Sequence, residues 1–216
     1  MRLSLLGPPG SGKGTQGDVL RARLGIPHIS SGDLLRDAVA RGTELGKSAK
    51  AYMDKGELVP DELVLGMIRE RLAADDARGG WMLDGFPRTV AQAHGLDGLL
   101  GANGAGLEHV VSLRVPKDDV VARLGGRRNC SKCGRLYHVR FQPPKKEGVC
   151  DVCGGALVTR KDDEEGTIRA RLDVYERQTA PLLDFYRSRG LLREIDGAIA
   201  PAEVSDRILA ALGAGK

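Results

Sequence analysis

Gly7-Pro8-Pro9-Gly10-Ser11-Gly12-Lys13-Gly14-Thr15 follows a short apolar run, Leu3 to Leu6, and precedes a helix-prone stretch. The order strand, glycine-rich turn, lysine, helix is the context in which backbone N–H groups point inward and the helix start adds positive potential, a cradle for a polyphosphate. Lys13 is placed to reach the outer phosphates. A hydroxyl would ordinarily follow the lysine directly, but here Gly14 intervenes and the hydroxyl arrives at Thr15. A plain glycine turn with a surface lysine explains neither the strand before nor the helix after.

Working outward, residues 2–6 read as the first strand and Ile26-Pro27-His28-Ile29 as the second. Trp81-Met82-Leu83-Asp84 reads as the third, stopped at Pro87, with 110–115 the fourth and 191–195 the fifth. Helices are expected after Ser30-Ser31-Gly32-Asp33, whose hydroxyls and carboxylate offer caps, then over 46–55 and 61–74, with Pro201 opening the last. Strands alternating with helices predict a parallel sheet covered on both faces. The glycine-rich stretch 95–106 reads as a surface connection.

The composition changes at Arg127. From there to Asp163 the chain carries all four of its cysteines, as Cys130-x2-Cys133-x16-Cys150-x2-Cys153. Two such pairs match a zinc template, and four thiolates leave no open coordination position, so the metal is expected to be structural. Two disulfides are the alternative, disfavoured in a reducing compartment. No N-terminal stretch reads as a leader and no apolar run has membrane-spanning length, which predicts a cytoplasmic protein without a membrane partner. The net charge of +4 over 216 residues gives no broad nucleic-acid footprint. Within 126–163, nine Lys and Arg against four Asp and Glu leave +5, and Tyr137 and Phe141 are the only aromatics besides His138. A nucleic-acid stacking surface needs more.

The segment Gly7 to Thr15, Ser31-Gly32-Asp33 with Arg36, and Asp84-Gly85-Phe86-Pro87-Arg88 together resemble the adenylate kinases. Gly126-Arg127-Arg128, Tyr137-His138-Val139, Thr159-Arg160-Lys161-Asp162-Asp163 and Arg169-x-Arg171 continue the match in order, so the resemblance covers essentially the whole chain. The cysteine insertion is similar to the bacterial type with a zinc-bearing lid; uridylate and cytidylate kinases share the first motifs but typically have a short lid. The resemblance implies an α/β P-loop NTPase fold of about five parallel strands. It divides the chain into a core (1–29, 60–125 and 164–216), a helical monophosphate-binding flap (30–59) and a small zinc-bound, β-rich lid (126–163).

It further implies transfer of the terminal phosphoryl of MgATP to AMP, giving two ADP, by a monomer. Lys13, Arg88, Arg123, Arg127, Arg160 and Arg171 are then the catalytic cations, guanidinium forks suiting phosphate geometry. ATP falls to Gly10, Ser11, Gly12, Lys13, Gly14 and Thr15, with Arg127, Leu136, Tyr137 and Ile199. AMP falls to Ser31, Arg36, Glu57, Leu58, Val59, Gly85, Phe86, Pro87, Arg88, Gln92, Arg160 and Arg171. Ser31 stands where the family often carries threonine. Gln92 has the donor and acceptor to read an adenine edge, and reads otherwise as an exposed helix residue. Asp84 is expected to hold Mg²⁺ through water, with a helix-capping aspartate as the other reading. Asp162 and Asp163 read as lid-hinge pairing residues. The acceptor phosphate is already ionised near neutrality, so no general base is required and His28, His94, His109 and His138 draw no catalytic role. The rivals are the same chemistry on UMP, CMP or GMP, a P-loop ATPase using its zinc module for nucleic acid, and a zinc-ribbon interaction domain.

Overall fold

The chain alternates strand and helix from its first turn: β1 (Arg2–Leu6), α1 (Lys13–Leu24), β2 (His28–Ser30), α2 (Ser31–Ala40), α3 (Glu44–Lys55), α4 (Asp61–Leu72), β3 (Trp81–Asp84), α5 (Val90–Gly101), β4 (His109–Arg114) and α6 (Lys117–Gly125). Three short strands follow, β5 (Arg127–Cys130), β6 (Leu136–His138) and β7 (Leu157–Val158), before α7 (Glu165–Val174), α8 (Pro181–Arg187), β8 (Leu192–Asp196) and α9 (Pro201–Ala211). The computed structural model describes residues 1–102 and 104–214.

The main sheet has the order β2-β3-β1-β4-β8, with every pairing parallel. Period-two alternation feeds two cores. Leu3, Leu5, Met82, Val111 and Leu113 pack on one face with Leu20 of α1 and Ile208 of α9. Leu6, Trp81, Leu83 and Val110 pack on the other with Ile68 of α4, Leu96 of α5 and Tyr186 of α8. The central strand β1 lies between β3 and β4, so the loop after it opens at the carboxyl edge where the order of strands reverses, the usual ligand crevice of such sheets.

Three expectations shift. The second strand begins at His28 rather than Ile26, because Pro27 has no N–H to give the ladder and offers only its carbonyl, to Met82. The helix expected over 46–55 starts at Glu44, where the Thr43 hydroxyl accepts the Gly46 N–H at 3.1 Å. The glycine-rich stretch 95–106 is largely not a connection: α5 runs to Gly101, with Leu96 and Leu100 buried against the sheet. Apolar burial there outweighs the helix cost of its glycines. Asn103 of that stretch, and 215–216 of the expected core, lie outside the described residues.

The cysteine segment forms a separate antiparallel sheet, β6-β5-β7, with a small buried cluster of Cys130, Tyr137 and Cys150. It is carried on α6 and α7, which share their own cluster of Val120, Leu124, Ile168 and Leu172.

Candidate active site

The phosphate loop leaves the end of β1 and turns into α1 at Gly12, which adopts φ 97°, a left-handed geometry that glycine takes without strain. Gly7 at φ 137° has no room for a side chain: a Cβ there would stand 2.7 Å from the Leu113 carbonyl oxygen. Lys13 folds over this loop and donates to the carbonyls of Gly7 at 2.8 Å and Pro8 at 2.9 Å. Burial of its ammonium lowers the Lys13 pKa to about 8 from 10.5, against the pull of Asp84. Leu136 of β6 reaches over the same turn, its Cδ1 lying 3.4 Å from where a Gly14 Cβ would be.

Asp84 ends β3 beside the loop and is buried. Its Oδ2 lies 3.2 Å from His28 Nε2, while His28 Nδ1 is 3.5 Å from Asp18 Oδ1. Gly17 makes room for this imidazole, since a Cβ there would come within 2.4 Å of the ring. Burial pulls the His28 pKa down, but hydrogen bonds to Asp18 and Asp84 outweigh it and raise it to about 9. The histidine therefore braces the carboxylate, a link the sequence did not display because the three residues are far apart in the chain.

A cleft of about 610 Å³ opens above the loop. It is lined by Gly10 to Thr15, Asp84, Gly85, Pro87, Leu58, Leu136, Tyr137 and Ile199, and by six arginines: Arg36, Arg88, Arg123, Arg127, Arg160 and Arg171. The volume suits a nucleotide-sized ligand. Burial, then repulsion from Arg171, lowers the Arg88 pKa to about 10, and burial with Arg36 does the same to Arg160. Both stay charged near neutrality, so the cleft is a crowded cationic surface that favours an anion.

Acidic partners hold part of this array. Asp163, buried, takes Arg127 Nε at 2.7 Å and Arg171 Nη1 at 3.2 Å. Asp162 pairs with Arg171 at 3.0 Å and approaches Arg36 at 3.9 Å. Burial alone would raise the Asp162 pKa, and the guanidiniums of Arg171 and Arg36 override it and lower it.

A second cavity of about 60 Å³ lies under α2 and α3, lined by Ser31, Glu57, Leu58, Val59 and Gln92 with Arg36, Arg88 and Arg171. Ser31 Oγ donates to the Gly85 carbonyl at 2.7 Å. Gln92 is not an exposed helix residue: it is buried, its Oε1 accepting the Arg88 N–H at 2.7 Å and its Nε2 donating to Asp61 Oδ1 at 2.7 Å. Phe86 is not brought to either cavity. Its side chain is fully buried in the core, and its carbonyl accepts from Ser4 Oγ at 2.8 Å.

Two residues the sequence reading left aside belong to the cleft. Phe141 lines it with its ring exposed, stacked on His138 at a centroid distance of 4.4 Å. His138 Nδ1 accepts the N–H groups of Arg140 at 3.0 Å and Phe141 at 3.1 Å, fixing that turn. An aromatic three residues beyond the histidine in a polar insertion was the available signal.

The four cysteines are free thiols whose sulfurs all lie within 4.8 Å of one another. Cys130 and Cys153 are 3.4 Å apart, Cys133 and Cys150 3.6 Å. Four Zn–S bonds of about 2.3 Å require tetrahedral edges of about 3.8 Å, so the donor set fits zinc. The N–H groups of Lys132 and Cys133 point at Cys130 Sγ, and Tyr137 Oη lies 3.5 Å from Cys150 Sγ, an outer shell that orients ligands. Among the described residues no helix is long and apolar enough to cross a membrane.

The sequence profile of the family described as Adenylate kinase matches residues 5–191. The chain is 55% identical over 213 residues to the adenylate kinase of Moorella thermoacetica, covering 99% of this chain and 98% of the relative. It is 56% identical over 215 residues to that of Syntrophotalea carbinolica, covering both in full, and 55% identical over 214 residues to that of a Geobacter species, covering 99% of this chain and all of the relative. With a phosphate loop at the switch point of a parallel sheet and a family match spanning the cleft, the chain belongs to the adenylate kinase family of phosphotransferases.

Proposed function

We propose that this protein transfers the terminal phosphoryl group of MgATP to AMP, reversibly, giving two ADP. The observation that carries this is the convergence of Lys13, Arg88, Arg123, Arg127, Arg160 and Arg171 on one cleft, which shares Arg36, Arg88 and Arg171 with a smaller pocket under a helical flap. Phosphoryl transfer asks for alignment and charge neutralisation, which such an array supplies. A phosphate oxygen of the acceptor bonds to the terminal phosphorus of ATP while the bond to the bridging oxygen breaks and ADP leaves. Lys13 and the arginines stabilise the charge spread over the transferring oxygens.

ATP lies along Gly10 to Thr15 with Arg127, Leu136 and Tyr137, its base between Arg123 and Phe141 and near the backbone of Ile199. AMP lies under the flap, its phosphate on Arg36 and Arg88 with Arg160 and Arg171 shared between the two nucleotides, and its base facing Gln92 with backbone from Glu57 to Val59. Asp84, with Oδ2 braced by His28, offers a hard oxygen suited to Mg²⁺ through water. Bound with ATP, that ion offsets phosphate charge and orients the chain of phosphates. Cys130, Cys133, Cys150 and Cys153 hold a structural Zn²⁺ that keeps the lid sheet folded.

In this reading 30–59 is the flap and 126–163 the lid, and both close on the core of 1–29, 60–125 and 164–216 to keep water from the phosphoryl group. The protein works as a monomer in the reducing cytoplasm, where its thiols stay available to metal. ADP formation with MgATP and AMP, UMP, CMP or GMP in parallel, beside an acceptor-free control, tests the reading. Turnover with AMP alone is expected. Turnover with another acceptor moves the specificity, and an equal rate without acceptor overturns the transferase.

A further inference from the structure

We infer that Asp61 is the residue that fixes the base specificity of the acceptor pocket, by locking the side-chain amide of Gln92 in one sense. This rests on the proposed reading that Gln92 meets the base of the acceptor. The two partners of the amide are of opposite and unchangeable type. The Arg88 N–H only donates, and it meets Oε1 at 2.7 Å. The Asp61 carboxylate only accepts when ionised, and it meets Nε2 at 2.7 Å. A flipped amide would set N–H against N–H at one end and oxygen against carboxylate oxygen at the other.

The carboxylate is itself held. Thr89 Oγ1 donates to Asp61 Oδ2 at 3.0 Å, and the same hydroxyl accepts the Gln92 N–H at 3.0 Å as the cap of α5. Asp61 is the first residue of α4, directly where the chain leaves the flap at Val59 and Pro60. Gln92 is buried and lines the flap cavity.

An amide has two N–H groups and two lone pairs. One of each is committed, so one N–H and one lone pair remain, with their order fixed by Asp61. Adenine presents an exocyclic N–H beside a ring acceptor, and this matches. A 6-oxopurine presents a carbonyl beside a ring N–H, the reverse order, and pairing with it requires the forbidden flip. A glutamine without the carboxylate behind it keeps only the Arg88 N–H against the flip, so turning to suit a 6-oxopurine costs less. Asp61 touches no substrate and is a positioning residue.

The test compares AMP with IMP, which carries the 6-oxo pattern without the extra amino group of guanine. kcat and KM are measured for both acceptors at saturating MgATP in the full-length wild type, Asp61→Asn and Gln92→Ala. An asparagine whose oxygen still accepts from Thr89 turns its NH2 toward Gln92 and so opposes the present order of the amide. Asp61→Asn is expected to narrow the AMP to IMP ratio of kcat/KM by about tenfold or more, the worth of one hydrogen bond to a charged group. The change should fall mainly in KM for IMP, with KM for MgATP held. A purely structural role would weaken both acceptors together and leave the ratio alone. If Gln92→Ala collapses the ratio and Asp61→Asn does not, the lock is overturned and the Gln92 reading stands. If neither moves it, the base reading of Gln92 falls as well. Asp61→Ser, whose hydroxyl also donates and accepts, gives the same readout should the asparagine variant fail to fold.

Discussion

Raising the pH from 7 to 9 should weaken nucleotide binding by titrating one lysine. The Lys13 ammonium is buried against the carbonyls of Gly7 and Pro8, with its pKa lowered to about 8. It is then roughly nine-tenths charged at pH 7, about half at pH 8 and about a tenth at pH 9. Entering phosphates, already ionised across this range, restore the proton. Binding above pH 8 is therefore coupled to proton uptake, and the apparent Kd for a non-hydrolysable MgATP analogue should rise about tenfold between pH 7 and pH 9. Calorimetric titration in two buffers of different ionisation heat reads both quantities, with uptake near half a proton at pH 8 and about nine-tenths at pH 9. Lys13→Arg, charged throughout, should show neither. The Lys13 contribution to the stability of the protein has the opposite trend. Between about 8 and 10.5 the unfolded chain holds the proton that the folded chain has lost, so this contribution rises with pH through that window, against that of His28, which falls from 6.5 to about 9. The gain is on the order of 3 kcal/mol, and Lys13→Met should abolish it. A wild-type Kd flat from pH 7 to pH 9 with no proton uptake would refute the reasoning.

Stripping zinc with a chelator, or Cys130→Ser, should unfold the three-stranded sheet and raise KM for MgATP far more than KM for AMP; a protein without metal that keeps its lid structure by NMR would contradict this. Gly46→Ala should destabilise by about 1–3 kcal/mol, because the new Cβ would sit 2.1 Å from the Ala38 carbonyl oxygen where α3 crosses α2, and an unchanged Tm would show that the crossing yields. Phe141→Ala should raise KM for MgATP about five- to tenfold with KM for AMP unchanged, the worth of one aromatic stack, and equal effects on both nucleotides would place Phe141 outside the donor site.

The parts of the fold that were legible in the sequence are those encoded locally. Gly7 to Lys13 declares itself because strand, loop and helix lie within a dozen residues, and the cysteine pairs because metal geometry dictates their spacing. The extent of α5 was hidden, since its glycines hold propensity low while Leu96 and Leu100 supply the burial that decides the matter. Contacts between distant segments were equally invisible. His28 meets Asp84 across 56 residues, Asp61 meets Gln92 across 31, and Thr179 donates to the Arg88 carbonyl across 91. No single-residue propensity carries such information. Phe86 shows the converse, a motif residue whose ring serves packing while its neighbours Gly85, Pro87 and Arg88 reach the cleft.

The small sheet that bears the cysteines owes little of its order to burial of apolar surface, its cluster being Cys130, Tyr137 and Cys150 with Leu157 at the edge. The two helices that carry it keep their own apolar seam of Val120, Leu124, Ile168 and Leu172. Swinging the sheet away from the phosphate loop would thus wet Leu136 and part the Arg160 guanidinium from Asp33, now at 3.8 Å. On the proposed reading, a module cross-linked by zinc rather than by apolar burial would move as a stiff paddle, its position set by charge, which is what a nucleotide brings.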